Sequence, residues 1–278
     1  MPWRAVGGTV HYADRMVRRV VQIVVGVIAA WIVFLIVLGF AYRERSGEGV
    51  AERFAVSLQG SASFGDADLA LVRGRIELER LKVRRDDAIG TLSLEIGDVR
   101  CELPPLGLAL VDRECRELFI GGMRLEMSSL ALFKLRKAKR PPILTQRVVI
   151  EDAVLGFAPS AFLPSLGRVQ IKVEHAVAGP TRFRTPLSWI FAMQELRATL
   201  ELPAGIAVHL VYRDGVMSAS GSVFGSSPVE VPVTLPVRDA ADDGQAELKR
   251  LVSFGRALAE QLVSRRARQW LRSKLPGG

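Results

Sequence analysis

Hydrophobic positions follow three different rhythms along the chain: continuous near the N-terminus, alternating through the middle, and helically spaced at the C-terminus. From Val20 to Tyr42 the sequence reads VVQIVVGVIAAWIVFLIVLGFAY, with Gln22 its only strongly polar side chain. As a helix this run is about 34 Å long, enough for a hydrocarbon layer about 30 Å thick. Secretory signals carry apolar regions of roughly 7 to 15 residues, so the length predicts an uncleaved transmembrane anchor. No other segment could cover so long a cylinder that is apolar all round, which argues against a core helix.

After Asp68 apolar and polar residues alternate, the mark of strands with one dry and one wet face. In RVQIKVEHAVA (168–178), Val169, Ile171, Val173 and Val177 are expected on one face and Arg168, Gln170, Lys172 and Glu174 on the other. Similar stretches at 75–83, 91–103, 117–127, 147–157, 195–202, 205–212, 216–224 and 229–237 raise the expectation to about nine strands. Asp214-Gly215 is a hairpin signal, so neighbouring strands should pair antiparallel. Pro232 and Pro236 place the last strand at a sheet edge. Short helices could interrupt at 185–194 and 128–135, but no long helix separates the strands, which excludes a doubly wound parallel sheet. Gln245–Lys274 then spaces Leu248, Leu251, Val252, Gly255, Leu258, Ala259 and Leu262 as one helical stripe.

The predicted fold class is mainly β with α: an N-terminal transmembrane helix, an antiparallel β-sheet and a C-terminal amphipathic helix. The predicted segments are a cytoplasmic N-terminus (1–19), the transmembrane helix (20–42), a linker (43–67), a β-rich domain (68–238) and a basic amphipathic helix (239–278). Arg4, Arg15, Arg18 and Arg19 precede the apolar run, against Arg43, Arg45 and Arg53 after it. That bias puts the N-terminus in the cytoplasm and the rest across the membrane.

Charge and chemistry narrow the function. A formal net charge of +9 is spread along the chain, and nucleic acid is not an expected partner across a membrane. Two Cys and three His cannot build a zinc framework, so no metal and no cofactor are expected. No nucleophile elbow, phosphate-binding loop, dinucleotide fingerprint, HExxH or CxxC occurs, and no catalytic residue is assigned. Asp86-Asp87 and Asp242-Asp243 read as solvated turns. His175 falls on the apolar phase of its strand and is expected in the core, whereas His209 is expected on the surface. Cys101 and Cys115 lie symmetrically about position 108; pairing of 99–103 with 114–118 would let them form a disulfide, the alternative being two buried thiols. The end of the C-terminal helix carries Arg265, Arg266, Arg268, Trp270 and Arg272, either a solvated basic end or a contact for membrane or partner. KLRKAKR (134–140) is read as a solvated loop, with headgroup or partner binding as the alternative.

An apolar anchor followed by LVRGRIELERLKV (71–83), LSLEIGDVRCELPPLGLALVDRECRELFIGGMRLEM (92–127) and RVVIEDAVLGF (147–157) resembles the opening of AsmA-type envelope proteins, relatives of chorein-type bridge-like lipid-transfer proteins. Leu196–Pro236, with its Asp-Gly hairpin, resembles the repeating strands that close such domains. The chain is far shorter than typical members, and its basic loop at 134–140 departs from their pattern. The resemblance implies that the antiparallel sheet is curved into a half-pipe at the inner membrane, its domain in the periplasm, whose apolar lining holds phospholipid acyl chains. Ile76, Leu78, Leu92, Leu94, Ile96, Val169, Ile171, Val173, Ile206, Val208 and Leu210 would line it. Those residues equally suit the core of a closed β-sandwich or barrel, so the alternative is a non-enzymatic envelope scaffold that recruits other envelope proteins.

Overall fold

The computed structural model describes residues 7–86, 91–105, 114–128, 143–158, 168–183, 188–237 and 244–274. Its first element, α1 (Gly7–Leu58), runs beyond the apolar stretch. Residues 43–58 were expected in a linker, but they continue the helix. The reason is tertiary: Leu35, Gly39, Gly47, Ala51 and Leu58 recur near helical spacing and are buried against the domain. At the end of α1 the buried Arg85 donates from Nη1 to the Leu58 carbonyl at 3.0 Å, satisfying an orphan acceptor.

Among the described residues, thirteen strands form one sheet. These are β1 (Ser61–Ser63), β2 (Asp66–Ala70), β3 (Arg75–Arg85), β4 (Leu92–Glu102), β5 (Cys115–Gly121), β6 (Arg124–Met127), β7 (Ile143–Phe157), β8 (Val169–Ala178), β9 (Thr181–Phe183), β10 (Met193–Leu202), β11 (Ile206–Arg213), β12 (Val216–Gly221) and β13 (Gly225–Pro232). The spatial order is β1-β3-β4-β5-β7-β8-β10-β11-β12-β13, with β2 on β3, β6 between β4 and β7, and β9 on β7. The Asp-Gly hairpin joins β11 to β12 antiparallel, and the proline-bearing β13 lies at the edge. One expectation fails: β5 and β6 pair with β7 in parallel. Met127 and Ile143 lie at opposite ends of the ladder. The expected helix at 128–135 falls, apart from Ser128, outside the described residues, as does the basic loop 134–140. In place of a helix at 185–194 there is a 3-10 turn, Ser188–Ala192, leading into β10.

A crease crosses the sheet. Arg80, Gly122 and Asp152 have φ of 54°, 62° and 53°. The registers set them, with Gly97, side by side on adjacent strands: Glu79 opposes Asp98, Asp98 opposes Gly121, and Gly121 opposes Glu151. Two consecutive residues of each strand face outward there, and the apolar phase resumes three positions on. Leu78 and Leu81, Ile96 and Val99, Ile120 and Met123, Ile150 and Ala153, and Val173 and Ala176 are all buried. A register shift beside Glu174 continues the crease into β8. It turns His175 outward, with Nδ1 3.8 Å from Glu151, so the expectation of a core histidine is corrected. His209 is exposed, as expected, and its Nδ1 lies 3.1 Å from Thr199 Oγ1.

The inner apolar face forms one cluster from Leu78 through Val233 to Leu262. The outer face carries cross-strand ion pairs, among them Lys82–Glu95 at 3.3 Å and Lys172–Glu201 at 2.6 Å, which in water add little stability. The last helix, α2 (Gly244–Lys274), lies along the edge of the sheet. Arg250 donates to the Val237 carbonyl and Arg265 to the Glu230 carbonyl, at 2.8 and 2.6 Å. Fifteen helical residues and seven extended ones both span about 23 Å, so α2 runs antiparallel to β13. Its inward stripe is Leu251, Phe254, Leu258 and Leu262; Val252, Gly255 and Ala259, expected in that stripe, are exposed.

Candidate functional site

Burial divides the expected lining positions. Leu78, Leu92, Leu94, Ile96, Val173 and Val208 are at most 5% exposed. Ile76, Val169, Ile171, Ile206 and Leu210 are half-buried. All share the inner face, but the ladder brings only some of the half-buried ones together.

Phe157 opposes Val169, Leu202 opposes Ile206, and Ile171 opposes both Leu155 and Leu200. The result is an apolar row at the ends of four successive strands, β7, β8, β10 and β11. Phe157, Val169, Leu202 and Ile206 are each partly open there, as are Ile171 and Leu200 one level in, whereas Leu155 and Val208 on that same level are buried. We call this end of the inner face its mouth. Phe157, Leu200 and Leu202 belong to it and were missed from the sequence, because membership depends on which strand ends the register aligns. Ile76 lies elsewhere, opposite Cys101 on β4.

The mouth is chemically plain. The shifted groups lie away from it. Tyr212, at the opposite end of β11, has its phenol pushed above 10.0 by burial and, secondarily, by the Asp214 carboxylate. Arg100, on the outer face, is raised chiefly by its hydrogen bond with Asp98. Among the described residues no group of three His, Cys, Asp or Glu side chains is gathered as metal ligands. Among the described residues the row offers apolar side chains and carries no charge on its inner face.

Other candidate positions fall outside the mouth. A depression of about 630 Å³ crosses the outer crease between Arg80, Glu95, Arg124, Asp152 and Lys172, where the bare Gly97 and Gly122 lower the surface. Arg265 is engaged with β13, Arg268 donates back to the Ser264 carbonyl, and Arg266 is half-buried. The side chains of Trp270 and Arg272 lie outside the described ones. Cys101 and Cys115 are joined as a disulfide with Cα atoms 5.6 Å apart, although the ladder sets Cys101 opposite Leu118. No family model and no curated protein matches the chain.

Proposed function

We propose that this chain is a membrane-anchored lipid-binding protein of a bacterial envelope, taking an acyl chain at the mouth of its sheet and serving phospholipid transport or outer-envelope biogenesis. The observation that carries the proposal is the half-buried apolar row Phe157–Val169 and Leu202–Ile206, continuous with the inner face behind it. Each methylene group taken out of water there contributes about 0.8 kcal/mol, so a few suffice for measurable retention. Among the described residues one helix, Val21–Val56, is long and apolar enough to cross a membrane. In this reading it is a single-pass inner-membrane anchor with the sheet in the periplasm.

A second reading has its own support. The six deeply buried lining residues favour a closed core, in which the sheet curls on its own side chains and works as a scaffold for other envelope proteins. Mass spectrometry of the full chain, extracted in mild detergent, separates the two. Lipid binding predicts co-purifying phospholipid that is lost in Ile171→Asp while the melting temperature stays close to that of the parent. A scaffold predicts a lipid-free chain, and an Ile171→Asp variant that unfolds because a buried charge costs several kcal/mol. Val173→Asp should unfold in either case and calibrates the comparison.

A further inference from the structure

We infer that the turn Leu71–Gly74, with Leu69 before it, is seated in the interfacial layer of the bilayer that α1 crosses; this rests on the reading of α1 as a membrane span. Two observations set the depth. The first is where the domain begins to cover the helix. Leu35 is 0% exposed and Gly39 is buried, its Cα so close to the Leu69 carbonyl oxygen that a Cβ would not fit. Both lie well inside the apolar run, which ends at Arg43; Leu35 is about 12 Å below that charge along the helix.

The second is length. The part of the run free of the domain, Val21–Phe34, covers about 21 Å, short of a hydrocarbon layer of about 30 Å. Leu35–Phe40 must supply the missing 9 Å or so. Their other side remains open for lipid: Ile36, Val37 and Phe40 are 58%, 61% and 72% exposed. Moving down α1 from Gly47 to Gly39, the neighbours change from Ala67 and Phe64 to Leu69 and the Leu71 amide, so the start of the turn lies at the level of Gly39.

The turn is built for that place. Leu69, Ala70, Leu71 and Val72 carry no charge, and the exposed Arg73 follows, able to lift its guanidinium to headgroup phosphates. The Leu71, Arg73 and Gly74 amides are satisfied internally, by the Leu69, Ala70 and Leu71 carbonyls at 3.2, 3.0 and 3.3 Å. Backbone that is already paired is what a water-poor layer tolerates.

The test is depth-dependent quenching in the full chain, reconstituted in vesicles of phosphatidylcholine and phosphatidylglycerol. An environment-sensitive fluorophore is placed on one added thiol, the native cysteines being joined. Three sites are compared: Ile28→Cys in the span, Arg73→Cys at the turn and Arg84→Cys at the far end of β3. The expected result is quenching of the Ile28 probe by nitroxides at the acyl-chain ends, of the Arg73 probe by headgroup nitroxides, and of the Arg84 probe by neither. If the Ile28 probe is quenched while the Arg73 probe behaves like the Arg84 probe, the span stands and the seated turn is overturned, the bilayer having thinned around a shorter helix. An unquenched Ile28 probe overturns the span and the seated turn together.

Discussion

At the scale of single residues, the crease is the feature with the most consequence. Arg80 and Asp152 hold a left-handed backbone that Gly122 adopts without a side-chain clash. A side chain branched at Cβ is least compatible with that conformation. Asp152→Val is expected to lower stability by about 1–2 kcal/mol and Asp152→Gly to leave it nearly unchanged, read from urea unfolding of the detergent-solubilised chain. Equal losses in both variants would show that the Asp152 side chain, not the backbone conformation, is what matters. His175 belongs to the same account. Strict alternation assigned it to the core, and a register irregularity two strands from the nearest glycine of the crease sent it outward to Glu151.

Among the elements, the apolar N-terminal helix, the β-rich middle and the amphipathic terminal helix were all legible, because each has a periodicity long enough to average over single exceptions. Boundaries were less so. The helical continuation through 43–58 contains Gly47 and Gly49, poor residues for an isolated helix, and it is held by packing on β2 rather than by propensity. The pairing of Cys101 with Cys115 was legible as a possibility, and the loop it closes is the quantity that sets its worth. Replacing both by Ser is expected to remove about 3 kcal/mol, seen as an earlier urea midpoint, with reductant producing the same shift in the parent chain. A reductant-insensitive midpoint would mean that the bond contributes nothing.

For the molecule as a whole, the open edge at β13 is a hazard that α2 manages. Through Arg250, Arg265 and the stripe ending at Leu262, the helix lies along an edge strand whose Val229 and Val231 are buried. A chain ending at Val237 should associate in a concentration-dependent way by light scattering, as the edge and its apolar face lose their cover. A monodisperse species would show that Pro228 and Pro232 protect the edge unaided.

Local pattern was enough to establish that most of the chain hides one face of its strands from water and that one helix is apolar all round, since these depend on neighbours a few positions apart. Folding in three dimensions decided three further points: the parallel pairing of β5 and β6 with β7, the transverse crease, and the alignment of Phe157, Val169, Leu202 and Ile206 at one mouth. Each depends on register between segments far apart in the chain. A one-residue slip exchanges the faces of a whole strand, and only the packed sheet selects the register that buries them all.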